Sequence, residues 1–243
     1  MERWSPKWRE RHLLMLKREW ANCKKCLLHE HRNKVVFGRG NPCAELMFIG
    51  EAPGETEDEK GEPFVGKSGN ILRSMWEAAD QTWDDIYITN LVCCRPPENR
   101  NPVNNEKDPC WVRLQEQIYL VDPLLIVAVG KQALQYLLGG RPLSIEEKHG
   151  ALMSPGVTIG GVFFPRTDSS KVTYNLTYPM VPIYHPAYIL RRDSYDEDTD
   201  SFMKDGVADQ TFDDLQHILV RLKRMKRAYE PVQRAISRKR ESK

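Results

Sequence analysis

Four short apolar runs punctuate the chain at residues 45–49, 86–89, 124–129 and 181–184, each bounded by turn-forming residues and too short to be a helix. Around them, apolar positions recur at helical spacing over 7–21, 70–79, 106–120, 132–138 and 209–229. Strands alternating with amphipathic helices predict an α/β fold, a three-layer sandwich whose central, mostly parallel four-stranded sheet is flanked by helices. The stretch 155–175, rich in Gly, Ser and Thr with two β-like runs, reads as a hairpin or long loop. Residues 1–215 are expected to form one domain. The acidic stretch 193–206 reads as a flexible connection to the last helix, and 216–243 as the basic end of that helix with a disordered tail after Pro231.

In an open sheet of this kind, the carboxyl ends of the strands form the ligand crevice. Glu51 comes just after the first run, Asn90 after the second and His185 after the fourth. Singly, such a group more often caps a helix or satisfies a turn. Their joint placement predicts one polar cleft.

Composition narrows the class. At 243 residues and 40% hydrophobic, the chain can bury one sizeable core. No apolar run approaches the roughly 20 residues needed to cross a bilayer, and the charged start lacks an apolar leader, so an intracellular protein with no membrane partner is expected. The net charge of +2 is unevenly spread: 193–214 holds nine acids against Lys204, and 221–243 holds ten bases against Glu230 and Glu241. Such runs read either as solvated surface or, for the basic one, as contact with phosphates.

Six cysteines in a chain of this length and setting point to metal or free thiols rather than disulfides. Cys23, Cys26, Cys94 and Cys110 make a ligand set for one centre, either structural zinc or an iron-sulfur cluster, with Cys43 and Cys93 left over. Residues 61–68 also match the phosphate-loop pattern, but eleven residues separate the first strand from Gly61, and Pro63 removes a backbone donor. No nucleoside triphosphate is therefore expected as a partner.

The stretches Gly50-Glu51-Ala52-Pro53-Gly54-Glu55-Thr56-Glu57-Asp58, Gly61-x-Pro63-Phe64-Val65-Gly66-x-Ser68-Gly69, Ile88-Thr89-Asn90, Cys94-Arg95-Pro96-Pro97-x-Asn99-Arg100-x-Pro102 and His185-Pro186-Ala187-Tyr188-Ile189-Leu190-Arg191 together resemble the family-four, iron-sulfur uracil-DNA glycosylases. The resemblance runs from about Cys23 to Arg191. It implies a 4Fe-4S cluster on Cys23, Cys26, Cys94 and Cys110, a pocket built on Gly50, Ala52, Pro53 and Gly54, and a monomer that excises uracil from DNA.

Phe64 then offers a face on which a flipped base stacks, and the donor and acceptor of the Asn90 amide match O4 and N3–H of uracil. His185 is placed to donate to the charge that collects on uracil O2, and Glu51 to position or activate water. Glu57 and Asp58 are alternative bases, because Ala52 stands where better-known branches carry an aspartate. Gly54 stands where those branches place a tyrosine against the thymine methyl. Leu190 is the expected wedge, with Arg191, Arg192, Arg95 and Arg100 on phosphates. Two alternatives remain: a non-catalytic DNA-binding protein associated with replication, and a glycosylase for another deaminated base.

Overall fold

The computed structural model describes residues 4–163, 172–192, 195–196, 201–202 and 206–241. The chain begins with α1 (Pro6–Trp20), where Ser5 accepts from the Trp8 amide and Pro6 presets the first turn. Trp8, His12, Leu13, Leu16 and Trp20 recur at helical spacing and form its buried face. There follow β1 (Arg39–Gly40), β2 (Leu46–Gly50), α2 (Glu55–Lys60), α3 (Lys67–Ala78), β3 (Tyr87–Asn90), α4 (Asn104–Val121), β4 (Leu125–Val129), α5 (Lys131–Leu137), α6 (Ile145–Lys148), β5 (Met153–Phe163), β6 (Val172–Ile183), α7 (Pro186–Arg192) and, after a short pairing of Tyr195–Asp196 with Ser201–Phe202, α8 (Val207–Glu241).

The main sheet runs β1-β3-β2-β4-β6-β5, with β3, β2, β4 and β6 parallel and antiparallel strands at both edges. The four expected strands are the parallel ones, but among the described residues the sheet has six strands. Sequence reading missed β1 because it is two residues long, and took β5 for part of a hairpin or loop. The hairpin is real, β5 against β6; its tip lies outside the described residues.

Every residue of β2 and β4 is buried, as expected of parallel strands covered on both faces. Met47, Ile49, Ile126 and Ala128 face one layer with Leu16 of α1, Leu114 of α4 and Leu134 of α5. Their alternating neighbours Leu46, Phe48, Leu125 and Val127 face the other, with Leu72 of α3 and Leu215 of α8. These two layers are the helical faces of the expected sandwich. The backbone of the last helix runs on to Glu241, past Pro231. Most of the acidic connection at 193–206 lies outside the described residues.

Candidate active site

A cleft of about 640 Å³ opens at the carboxyl ends of the parallel strands. Gly50 and Asn90 are register partners at the ends of β2 and β3, and pairing continues beyond them through Leu91 N–H to Gly50 O (2.9 Å) and Val92 N–H to Glu51 O (3.2 Å). Glu51 and Asn90 therefore leave the sheet side by side. A Cβ on Gly50 would collide with Asn90 Oδ1 and stand 2.6 Å from Phe64 Cζ. Bare backbone at that position lets the amide and the ring meet at the cleft floor.

Phe64 is held in a left-handed conformation, φ 55°, that a bulky side chain rarely adopts. Gly69 packs so closely on the Phe64 backbone that a Cβ there would clash with it. Glu57 ties the same loop down: one oxygen accepts from the amides of Val65 (3.0 Å) and Gly66 (2.7 Å), the other from Gly54 (3.2 Å). The Phe64 ring is nearly enclosed, belonging to the core below while lining the cleft above.

His185 caps α7, its carbonyl accepting from Tyr188 N–H at 2.7 Å. The amide of Ala187 donates to His185 Nδ1 at 3.1 Å, so the neutral ring carries its proton on Nε2. Burial, reinforced by Arg191, lowers its pKa to about 4. The group offered at neutral pH is an uncharged imidazole donor. Gly130, at the end of β4, leaves room for it, since a Cβ there would stand 2.8 Å from His185 Cβ.

Glu51 lies on the same cleft wall with Oε1 buried and without a hydrogen-bond partner. Burial raises its pKa to about 7 against the opposing charge of Lys107. The other two acids proposed as bases are committed elsewhere. Glu57 holds backbone amides, and the buried Asp58 accepts from Asn33 N–H (3.0 and 2.9 Å), Asn33 Nδ2 (2.7 Å) and Lys34 N–H (3.3 Å).

The matching family model covers residues 37–209 and describes the uracil DNA glycosylase superfamily. The chain belongs to this superfamily. It is 38% identical over 172 residues to the type-4 uracil-DNA glycosylase of Thermotoga maritima, an alignment covering 71% of this chain and 80% of that protein. The type-4 enzyme of Archaeoglobus fulgidus is 36% identical over 187 residues, 77% and 87% of the two chains. That of Sulfurisphaera tokodaii is 45% identical over 123 residues, 50% and 56% of the two.

Of the other residues singled out in the superfamily motifs, Ala52, Pro53 and Gly54 line the cleft, as do Arg100 and Arg191. Leu190 is 41% exposed, and Arg192 reaches back to Tyr188 Oη at 3.1 Å. Arg95 is not itself in the cleft lining but pairs with two residues that are, Glu55 (3.1 Å) and Asn99 (2.8 Å), and Arg100 forms a two-pronged pair with Glu106 at 2.8 and 2.5 Å. Sequence reading missed Lys131 and Tyr184, which also line the cleft. Lys131 comes just after β4, so the strand-end rule that found the other three positions points to it too.

None of the six cysteines is joined in a disulfide. Cys94 and Cys110 are buried in one small cluster with Cys93, Leu28 and Val92, against which Cys26 and Ala52 pack. Cys26 lies within electrostatic reach of Cys110 and Cys23, and Cys94 within reach of Cys110 and Cys26. Arg32 Nη1 donates to Cys94 Sγ at 3.1 Å, and the Cys93 thiol donates to Cys110, which lowers the Cys110 pKa. Among the described residues, no three His, Cys, Asp or Glu side chains are grouped as a single ion requires. The four thiols come from the loop after α1, the loop after β3 and α4 into one neighbourhood, a sulfur-only donor set of the kind that suits an iron-sulfur centre.

Proposed function

We propose that this chain is a uracil-DNA glycosylase that flips uracil out of DNA and hydrolyses the bond from C1′ of the deoxyribose to N1 of the base, initiating base excision repair. The observation that carries the reading is the convergence of three groups on one cleft: the Asn90 amide, the Nε2–H of a neutral His185, and an unpaired Glu51 carboxyl.

The flipped base stacks on Phe64 while the Asn90 amide pairs with O4 and N3–H. Cytosine presents the opposite polarity at both atoms and leaves buried groups unpaired. As the glycosidic bond stretches, its electrons move onto the base, and His185 donates to O2 through Nε2–H without a charge of its own to be neutralised. Glu51, once ionised, orients a water toward C1′ and opposes the positive charge growing on the sugar; the water's oxygen bonds to C1′ as its proton passes to the Glu51 carboxylate, and uracil leaves with the electron pair of the broken C1′–N1 bond. Beside Gly54 the Glu57 carboxylate fills the corner, with Oε2 2.9 Å from where a Cβ would stand, and there it walls out the thymine methyl.

Cys23, Cys26, Cys94 and Cys110 would hold a 4Fe-4S cluster. When bound, it supplies a rigid joint between the loop after α1, the loop after β3 and α4. Ala52 packs on that thiol cluster and lines the cleft, so bracing the loops also braces the pocket wall. Arg191 and Arg192 meet phosphates, and Leu190 enters the gap in the stack.

The test is incubation of the purified chain with oligonucleotides bearing uracil, hypoxanthine or thymine, followed by alkaline cleavage at abasic sites. Cleavage of the uracil strand alone is expected. Cleavage of none, by protein with a full complement of iron and sulfide, refutes the reading, and preferential cleavage at hypoxanthine reassigns the substrate.

A further inference from the structure

One fully buried side chain takes no part in the chemistry above. Arg113, on the inner face of α4, has no measurable exposure. Its Nη2 donates to the carbonyls of both Asn90 and Leu91 at 2.8 Å. Nη1 donates to Thr89 Oγ1 at 3.0 Å and to Gln117 Oε1, whose own amide reaches Phe37 O at 2.8 Å and Tyr87 Oη at 3.0 Å. Nε has no hydrogen-bond partner, and among the described residues no salt bridge joins Arg113 to a carboxylate.

Burying a guanidinium without a carboxylate partner is costly, and the Cys110 sulfur on its own helix offsets only part of that; a methionine of similar length would fill the space without the cost. What methionine cannot do is hold two consecutive carbonyls on one nitrogen while the other arm of the same planar fork ties Thr89 and Gln117. Those carbonyls follow directly on the Asn90 side chain that opens into the cleft. Cys110 lies one turn earlier on the same helix, and its sulfur takes a side-chain hydrogen bond from the guanidinium, so Arg113 joins the Asn90–Leu91 backbone to a thiol assigned to the cluster.

We propose that Arg113 is a positioning residue for base recognition: its fork fixes the Asn90–Leu91 backbone, and with it the Asn90 amide, against the helix that carries Cys110. The inference rests on Asn90 being the base-reading group. Arg113 touches no substrate, so its effect must pass through Asn90, and a double-mutant cycle reads that directly.

Full-length wild type, R113K, N90A and the double variant are compared under single-turnover conditions for uracil release, preference for uracil over cytosine, DNA dissociation constant and iron content. R113K keeps the charge and loses the fork. Expected are wild-type iron and DNA affinity, uracil release slowed by about tenfold or more, a reduced preference for uracil, and no further loss when R113K is added to N90A. R113Q, which keeps one amide donor and drops the charge, runs the same cycle if the lysine variant does not fold. A folded Arg113 variant with wild-type rate and preference overturns the proposal, as do losses that multiply in the N90A background. If N90A itself releases uracil at the wild-type rate with full preference, the reading of Asn90 falls first, and that result is distinct from the other two.

Discussion

The rate of uracil release should climb with pH, because the group assigned to water needs its charge. Burial raises the Glu51 pKa from 4.5 to about 7, whereas His185, lowered to about 4, stays neutral throughout the neutral range. About a tenth of the molecules then carry the Glu51 carboxylate near pH 6 and about nine tenths near pH 8, a rise of roughly tenfold in single-turnover rate. The same shift has an opposite sign in stability. The site favours the neutral carboxyl, so its contribution is full below the unfolded value of 4.5 and is lost as pH rises through about 7. At about 1.4 kcal/mol per pH unit, the loss is on the order of 3 kcal/mol at most. Glu51→Gln should therefore melt at a higher temperature than wild type near pH 8 while releasing little uracil. The assay is quenched-flow release of uracil from a labelled oligonucleotide across the pH range, with melting curves on both proteins in the same buffers. A flat rate profile, or an unchanged slope in the glutamine variant, would refute the assignment.

His185→Ala should slow the chemical step by a few hundred-fold with little change in DNA affinity, read by single-turnover rates beside gel-shift titration; equal losses in both would deny it a transition-state role. Asn90→Asp should raise cytosine release relative to uracil, and an unaltered ratio removes Asn90 from base readout. Gly50→Ala pushes a methyl between Asn90 Oδ1 and the Phe64 ring and should cost about a hundredfold in rate or more; near wild-type activity would mean that the floor is not where the base sits. Cys94→Ser should lower both iron per chain and melting temperature, whereas full iron content would take Cys94 out of the ligand set.

The parallel strands were legible because strands buried on both faces read as unbroken apolar runs, and the strand-end rule then located Glu51, Asn90 and His185 on one cleft. Elements without an apolar signature were not. Helix α2 is charged at every position except its threonine and carries no apolar residue, and β5 contains glycines and a proline that read as loop. Charge was visible and its commitments were not: Glu57 and Asp58 looked like bases until their backbone partners appeared, and Arg95 and Arg100 looked free for phosphate until Glu55 and Glu106 were seen beside them. Arg113 gave no signal at all. Its meaning depends on which carbonyls lie above α4, and residues more than twenty positions apart do not announce such an approach.

The twisted backbone at Phe64 bears on how this protein can change under selection. A left-handed phenylalanine costs on the order of 1 kcal/mol or more that glycine or asparagine at the same place would not. Lineages screened for heat tolerance alone should drift toward those smaller residues and lose their grip on the extruded nucleotide. Populations that must also protect their genomes are held to the aromatic ring, and a directed-evolution experiment with repair pressure switched on or off would show the two trajectories part at this codon.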